Sequence, residues 1–219
     1  MKVKFPCLIL SGLLLIITSC SDRKSDPVGN VNPYIGNISH LLVPTYPTVH
    51  LPNSMVRFYP NRDNFTTNYM QGFPLNVVSH RSGKVFTLFP FGGSASDAPQ
   101  NLLYTYDNEF ITPYCYSVKL DEYNIDVKYA PAGKAGFFSL RFNNDLNRTV
   151  MLRTNGQGEL KYENNAISGF DTFDNVRACL YMEFEIKPEA IKVRDMDSTS
   201  GSMSVTGNRI SMIASFKPD

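Results

Sequence analysis

From Asn30 onward, apolar residues recur at every second position far more consistently than at every third or fourth. In Tyr114-Cys115-Tyr116-Ser117-Val118-Lys119-Leu120 the even positions carry Tyr, Tyr, Val and Leu. Ile125, Val127 and Tyr129 alternate with Asp126 and Lys128, and Leu180, Met182, Phe184 and Ile186 alternate with Tyr181, Glu183 and Glu185. Side chains of a strand point to opposite faces in turn, so this period predicts strands with one buried and one wet face, as in antiparallel sheets. On this basis strands are expected over 54–59, 84–91, 114–120, 125–130, 136–142, 149–153, 178–186 and 209–216. No stretch shows sustained helical spacing. Asp121-Glu122-Tyr123-Asn124, Asn143-Asn144-Asp145 and Glu163-Asn164-Asn165 are turn clusters, because Asn and Asp tolerate left-handed backbone and bond to their own chain. Many short strands with such punctuation indicate an all-β fold, an antiparallel β-sandwich.

The stretch Asn32 to Asn101 departs from that rhythm. It holds Pro33, Pro44, Pro47, Pro52, Pro60, Pro74, Pro90 and Pro99, eight of the chain's 14 prolines, and all 3 histidines. Proline removes a ladder donor, so long fixed loops are expected here rather than sheet. Ordered loops on a rigid scaffold are where binding residues concentrate, which makes this the functional half of the domain.

The N-terminus has a different pattern again. Lys2 and Lys4 precede a nearly unbroken apolar run from Leu8 to Ile17, too short to cross about 30 Å of hydrocarbon as a helix. It reads as the apolar region of a signal peptide. Thr18 and Ser19 lead into Cys20, the arrangement of a bacterial lipobox, in which the thiol is acylated and becomes the new N-terminus. An ordinary cleaved signal with a chance cysteine is the competing reading. The expected organisation is a lipoprotein signal at 1–19, an acylated Cys20 with a polar tether over 20–29, and one domain over 30–219. Such a protein sits on the bacterial cell envelope, at the outer membrane or periplasmic face, held only by its lipid.

Charge narrows the partners. The formal net charge is +1, and removal of Lys2 and Lys4 leaves −1, without any basic cluster to bind nucleic acid. Once Cys7 leaves with the signal and Cys20 is acylated, Cys115 and Cys179 remain. Export permits a disulfide between them; two separately buried small hydrophobes are the alternative. Neither has metal-ligand spacing around it.

Three blocks now carry a resemblance. Val31-Asn32-Pro33-Tyr34-Ile35-Gly36 resembles the Val-Asp-Pro-Phe-Ile-Gly opening of glycoside hydrolase family 92. Residues 51–60, from Leu51-Pro52-Asn53-Ser54-Met55-Val56 to Pro60, are similar to its Leu-Pro-Phe-Gly-Met-Val-x-x-x-Pro segment. Tyr116-Ser117-Val118, Ile125 and Ala130-Pro131-Ala132-Gly133-Lys134-Ala135-Gly136-Phe137 follow its Tyr-Ser-Val hairpin and next strand. The blocks occur in the family's order and span residues 30 to about 142.

The resemblance implies an N-terminal β-sandwich from calcium-dependent, inverting exo-α-mannosidases. In that family a larger (α/α)6 barrel follows and supplies the acid and base carboxylates and most calcium ligands. This chain is therefore expected to contribute a wall of a mannose pocket and to lack the catalytic barrel, with calcium belonging to the full-length family and no cofactor here. Two family loops differ. Asn37-Ile38-Ser39-His40-Leu41-Leu42-Val43-Pro44-Thr45 stands where the family has Gly-His-Thr-Phe-Pro-Gly. Gly72-Phe73-Pro74 and Ser79-His80-Arg81-Ser82-Gly83 only partly echo Gly-Phe-Ser-His-Thr-His-Leu-Ser-Gly.

Inverting hydrolysis needs two carboxyl groups about 6.5–9.5 Å apart with room for water. The acidic residues here are scattered. Glu183 and Glu185 occupy a solvated strand face, and Asp171 and Asp174 fall in an expected loop, 169–175, where turn capping competes with a cation or sugar contact. No catalytic set and no metal set is found. Sugar recognition asks for a ring beneath the pyranose and paired donors and acceptors. His40, Tyr46, His50, His80 and Arg81 are the candidates for substrate binding, the last two because they fall at the partial family motif. Phe58, Tyr59, Phe86, Phe89 and Phe91 are expected in the core. Two functions follow: the mannose-glycan-contacting domain of an α-mannosidase-like hydrolase, inactive alone or working with a separately encoded barrel, or a stand-alone glycan-binding or structural surface lipoprotein.

Overall fold

A computed structural model describes residues 27–38, 41, 45–64, 66–78, 83–99, 101–194 and 203–218. The chain divides into a unit ending at Val31 and a unit from Asn32 to Asp219. Of the first, Pro27–Asn30 forms a single 3-10 turn.

The second unit is all β, its antiparallel sheets packed as a sandwich. In chain order its strands are β1 (Tyr69–Met70), β2 (Phe73–Val77), β3 (Lys84–Gly92), β4 (Tyr104–Thr112), β5 (Cys115–Leu120), β6 (Ile125–Ala132) and β7 (Ala135–Phe142). They continue with β8 (Arg148–Arg153), β9 (Gln157–Glu163), β10 (Ala166–Phe173), β11 (Val176–Glu183), β12 (Ala190–Val193), β13 (Met203–Asn208) and β14 (Ser211–Phe216). Three sheets result, with orders β1-β4-β5-β6-β7, β12-β14-β8-β3-β2 and β11-β10-β9-β13.

Burial follows the alternation where one face is wet. β5 buries Tyr116, Val118 and Leu120, and β6 buries Ile125, Val127 and Tyr129. β3 differs, with Val85 through Phe91 buried without a break, the mark of a strand covered on both faces. Phe58 is the aromatic hub of the core. It stacks on Tyr129 at 4.1 Å between ring centroids and meets Tyr116 edge-on at 5.3 Å and Phe138 at 5.5 Å. Such pairs add about 0.5–1.5 kcal/mol each beyond the area they bury. Phe58, Tyr59, Phe86, Phe89 and Phe91 are all buried, as expected from their spacing.

Three departures from the sequence expectation have physical causes. Residues 54–59 form no strand; only Phe58 pairs, in an isolated bridge with Val49. The ladder groups are already taken. Ser54 Oγ accepts the Val56 amide, Asn76 Oδ1 accepts the Arg57 amide at 3.0 Å, and Gly133 O accepts the Met55 amide at 2.9 Å.

The proline-rich stretch, in turn, holds two more strands than expected, β1 and β2. Pro74 is tolerated because β2 is an edge strand. Pro90 stands beyond the last β2 pairing, Phe73 opposite Leu88, and its carbonyl accepts the Tyr104 hydroxyl at 2.9 Å.

Residues 169–173, finally, are not loop but the end of β10, and the turn is Asp174-Asn175. Their φ values of 52° and 64°, like the 51° and 65° of Asn164-Asn165, are the left-handed pair of a type I′ hairpin. Gly169 misled because it looks like a breaker. It is there because a Cβ would lie 1.9 Å from the Glu159 carbonyl oxygen across the β9–β10 pair.

Asp171 is thereby fully buried, and its role is structural. Its Oδ2 accepts the amides of Phe86 and Asn155, both at 2.8 Å, and its Oδ1 that of Gly156 at 3.0 Å. This cradle ties β10 to β3 and holds Phe86 at φ 48°, a backbone state a bulky residue seldom adopts unaided. Cys115 is half-buried and Cys179 exposed; both are free thiols.

Candidate functional site

The first family-like block folds into two overlapping turns. Asn32 Oδ1 accepts the Tyr34 amide at 3.0 Å, Asn32 O accepts the Ile35 amide, and Tyr34 O accepts the Asn37 amide at 3.1 Å. Gly36 sits at φ 83°, with the Thr45 hydroxyl 2.7 Å from where a Cβ would be, so a larger residue would be strained and would have to displace Thr45. These turns present Tyr34 and Asn37 to a pocket of about 290 Å³, completed by Gly36, Ile38, Arg62, Tyr106 and Glu109.

A bulge builds the opposite wall. In the β4–β5 pair, Asp107 faces Lys119 but Phe110 faces Ser117, so β4 carries one extra residue. Asn108 absorbs it at φ 55°. Before the bulge the even residues Tyr104 and Tyr106 point inward; after it, Glu109 and Ile111 do. The slip brings Tyr106 and Glu109 to the same side, a frequent use of bulges next to sites.

Glu109 is the hub. Its carboxylate is ion-paired with Arg62 and accepts the Tyr116 hydroxyl at 3.0 Å and the Tyr34 hydroxyl at 3.3 Å. Arg62 also donates from Nη1 to the Tyr106 hydroxyl at 2.9 Å and lies 4.9 Å from that ring's centroid. The Tyr106 hydroxyl donates onward to Thr67 O at 3.1 Å. Burial alone would lower the Arg62 pKa, but the adjoining Glu109 carboxylate outweighs it and holds the guanidinium above its ordinary value. Burial, and then the Glu109 charge, push the Tyr34 phenol up to about 12 and the Tyr116 phenol well above its usual range. The Arg62 guanidinium is thus charged and the Tyr34 and Tyr116 phenols neutral at neutral pH.

One group in the pocket has no such partner. Asn37 is only 6% exposed, and among the described residues neither Nδ2 nor Oδ1 of its side chain has a hydrogen-bond partner. A buried amide left with a donor and an acceptor unmet costs roughly 1–3 kcal/mol, which a ligand offering both can recover. Beside two phenol rings, an amide pair of this kind suits the adjacent hydroxyls of a polyol.

The sequence candidates fare differently. His50 is half-buried, with Nε2 donating to Ser54 O at 3.0 Å and its amide donating to Pro113 O, which makes it a local strut. Tyr46 stacks on buried Tyr59 at 4.4 Å, and burial, with Tyr46 adding to it, raises the Tyr59 pKa. Neither lines the pocket. His40, His80, Arg81 and Cys20 lie outside the described residues. Asn37, Arg62, Tyr106 and Glu109 were not singled out by sequence; the one signal was the phase slip in Tyr104-Thr105-Tyr106-Asp107-Asn108-Glu109-Phe110-Ile111 around an asparagine. Among the described residues no three His, Cys, Asp or Glu side chains gather closely enough to share a metal.

The sheets and their loops make an antiparallel sandwich module with a polar pocket at the N-terminal turns. The chain belongs to the glycosyl hydrolase family 92 N-terminal domain family, which it matches over residues 30–219. Among solved structures it is similar to a family GH92 inverting mannosidase from Bacteroides thetaiotaomicron VPI-5482, with a TM-score of 0.72 and 20% identity over 86% of this chain and 29% of that one. A family GH92 alpha-mannosidase from the same species gives 0.72 and 17%, over 87% and 31% of the two chains. The same enzyme in complex with mannoimidazole gives 0.70 and 18%, over 87% and 30%. The chain thus spans about 30% of the length of these relatives. No curated protein matches it.

Proposed function

We propose that this chain is the glycan-contacting N-terminal domain of an α-mannosidase-like glycoside hydrolase, and that the pocket of Asn37, Arg62 and Glu109 receives a mannose-type sugar. The unpartnered, buried Asn37 amide carries the reading, since vicinal hydroxyls supply both the acceptor and the donor it lacks. Family membership supports it, as does the mannoimidazole bound by a relative of the same fold. Glu109 already takes three donors, so its part is to hold Arg62 and the phenols rather than to move a proton. In this reading the hydrolytic carboxylates come from an (α/α)6 catalytic domain.

The test is a titration of the full chain with methyl α-mannoside, followed by NMR on the Asn side-chain amides. The Asn37 amide pair should shift on binding, and Asn37→Ala should weaken affinity at least about ten-fold, the loss of one buried amide's bonds. Binding that leaves the Asn37 amide unmoved, or that survives its removal, would overturn the assignment.

A further inference from the structure

Away from this pocket, a cleft of about 1410 Å³ runs between β7 and β11. Both are edge strands: among the described residues β7 pairs only with β6, and β11 only with β10. Burial alternates along both strands. Phe138, Leu140 and Phe142 on β7, and Ala178, Leu180 and Met182 on β11, are half-buried, while their neighbours are exposed. The floor is apolar, with Leu75, Val85, Leu88 and Val150. The Tyr129 hydroxyl, buried against Gly136 of β7, has no hydrogen-bond partner among the described residues.

The rim has a sign. Arg57, Lys134, Arg148, Arg177, Lys187 and Lys217 line the cleft against Glu183, Glu185 and Glu189. Lys217 and Glu189 pair with each other at 2.7 Å and Arg148 has a partner of its own, which leaves Arg57, Lys134, Arg177 and Lys187 against Glu183 and Glu185.

We propose that this cleft accepts an extended polypeptide segment as an added β-strand, apolar at alternate positions and acidic at those between. A strand edge offers a row of backbone donors and acceptors that such a segment pairs with, while pockets for alternate side chains set its pattern. Eight residues, the length of β7 and of β11, extend about 26 Å as a strand at roughly 3.3 Å per residue. An apolar ligand would explain the floor but would leave the strand edges and the cationic rim without a counterpart. This inference stands independently of the sugar pocket.

The probe is an eight-residue peptide alternating Val with Glu, added to the full chain, with amide hydrogen exchange read on β7 and β11. Exchange there should slow by ten-fold or more at saturation. Replacing Glu by Lys in the peptide should weaken binding at least ten-fold, and placing the four Val in one block should abolish it. Leu180→Glu should abolish uptake of the Val-Glu peptide while leaving the sugar titration unchanged. No protection in the wild-type chain, equal binding of the Lys or blocked peptide, or a self-associated chain whose β7 and β11 amides are already protected by a second copy would each overturn the proposal.

Discussion

The two concavities of this domain follow opposite rules. In the pocket, Arg62 and Glu109 are buried charges, and they persist there because each is matched by the other and by the phenols of Tyr106, Tyr116 and Tyr34. In the cleft, Leu140, Leu180 and Met182 are half-exposed hydrophobes that need nothing specific opposite them. A buried charge that loses its partner is costly, whereas a half-exposed leucine loses only part of an already small burial gain. A polar concavity must therefore be assembled group by group, and a single unmet amide such as Asn37 stands out. An apolar one arises wherever sheets end without a covering layer, and only its strand edges and rim charge distinguish it.

The largest effect expected from this contrast is that of Glu109→Ala. It strands the Arg62 guanidinium, whose side chain is 4% exposed, without its counter-charge. Loss of one member of a buried pair costs about 3–5 kcal/mol. Urea unfolding should show that loss, with Glu109→Gln retaining more stability because its amide oxygen still accepts. A change below 1 kcal/mol would mean that solvent reaches Arg62 freely and that the pocket is no more built than the cleft.

A middle-sized effect tests how the pocket wall is made. Asn108→Val places a β-branched side chain at φ 55° in the β4 bulge, a backbone strain of about 1–3 kcal/mol. Asn108→Gly removes the strain altogether and should match or exceed the parent in stability. The valine variant should also weaken methyl α-mannoside binding, since it disturbs the turn that carries Glu109. Equal stability of all three chains would show that the bulge is dispensable.

That bulge also marks the limit of what the sequence discloses. Strands with unbroken alternation, β5 and β6, could be read directly, and so could the Asn-Asn turn ahead of β10, where left-handed backbone at two successive residues favours asparagine. β4 was hidden because its pattern changes phase at Asn108. β10 was hidden because Gly169 and Asp171 imitate a loop, although one permits close strand approach and the other binds three amides. The family block at Val31 includes Tyr34 and Gly36, which line the pocket, whereas the block at Leu51 contributes none of its lining. The histidines drew notice as versatile side chains, while the pocket joined Asn37 and Arg62 to Glu109, far along the chain, through a register slip whose one local trace is the phase change around Asn108.

The smallest effect concerns the cleft. Tyr181 on β11 is 68% exposed and lines the rim. Truncating it removes a large side chain, but little of its surface leaves water on folding, so Tyr181→Ser should change stability by no more than about 0.5 kcal/mol. For a chain of this size that is a shift of at most roughly 2 °C in Tm. Loss of this many atoms from the pocket would be felt far more, which makes the substitution a sensitive comparison of the two surfaces. A drop of 2 kcal/mol or more, measured by urea unfolding of the full chain, would show that Tyr181 is packed against a covering layer. The cleft would then be an interior surface already occupied, and its likeness to an open strand edge would fail.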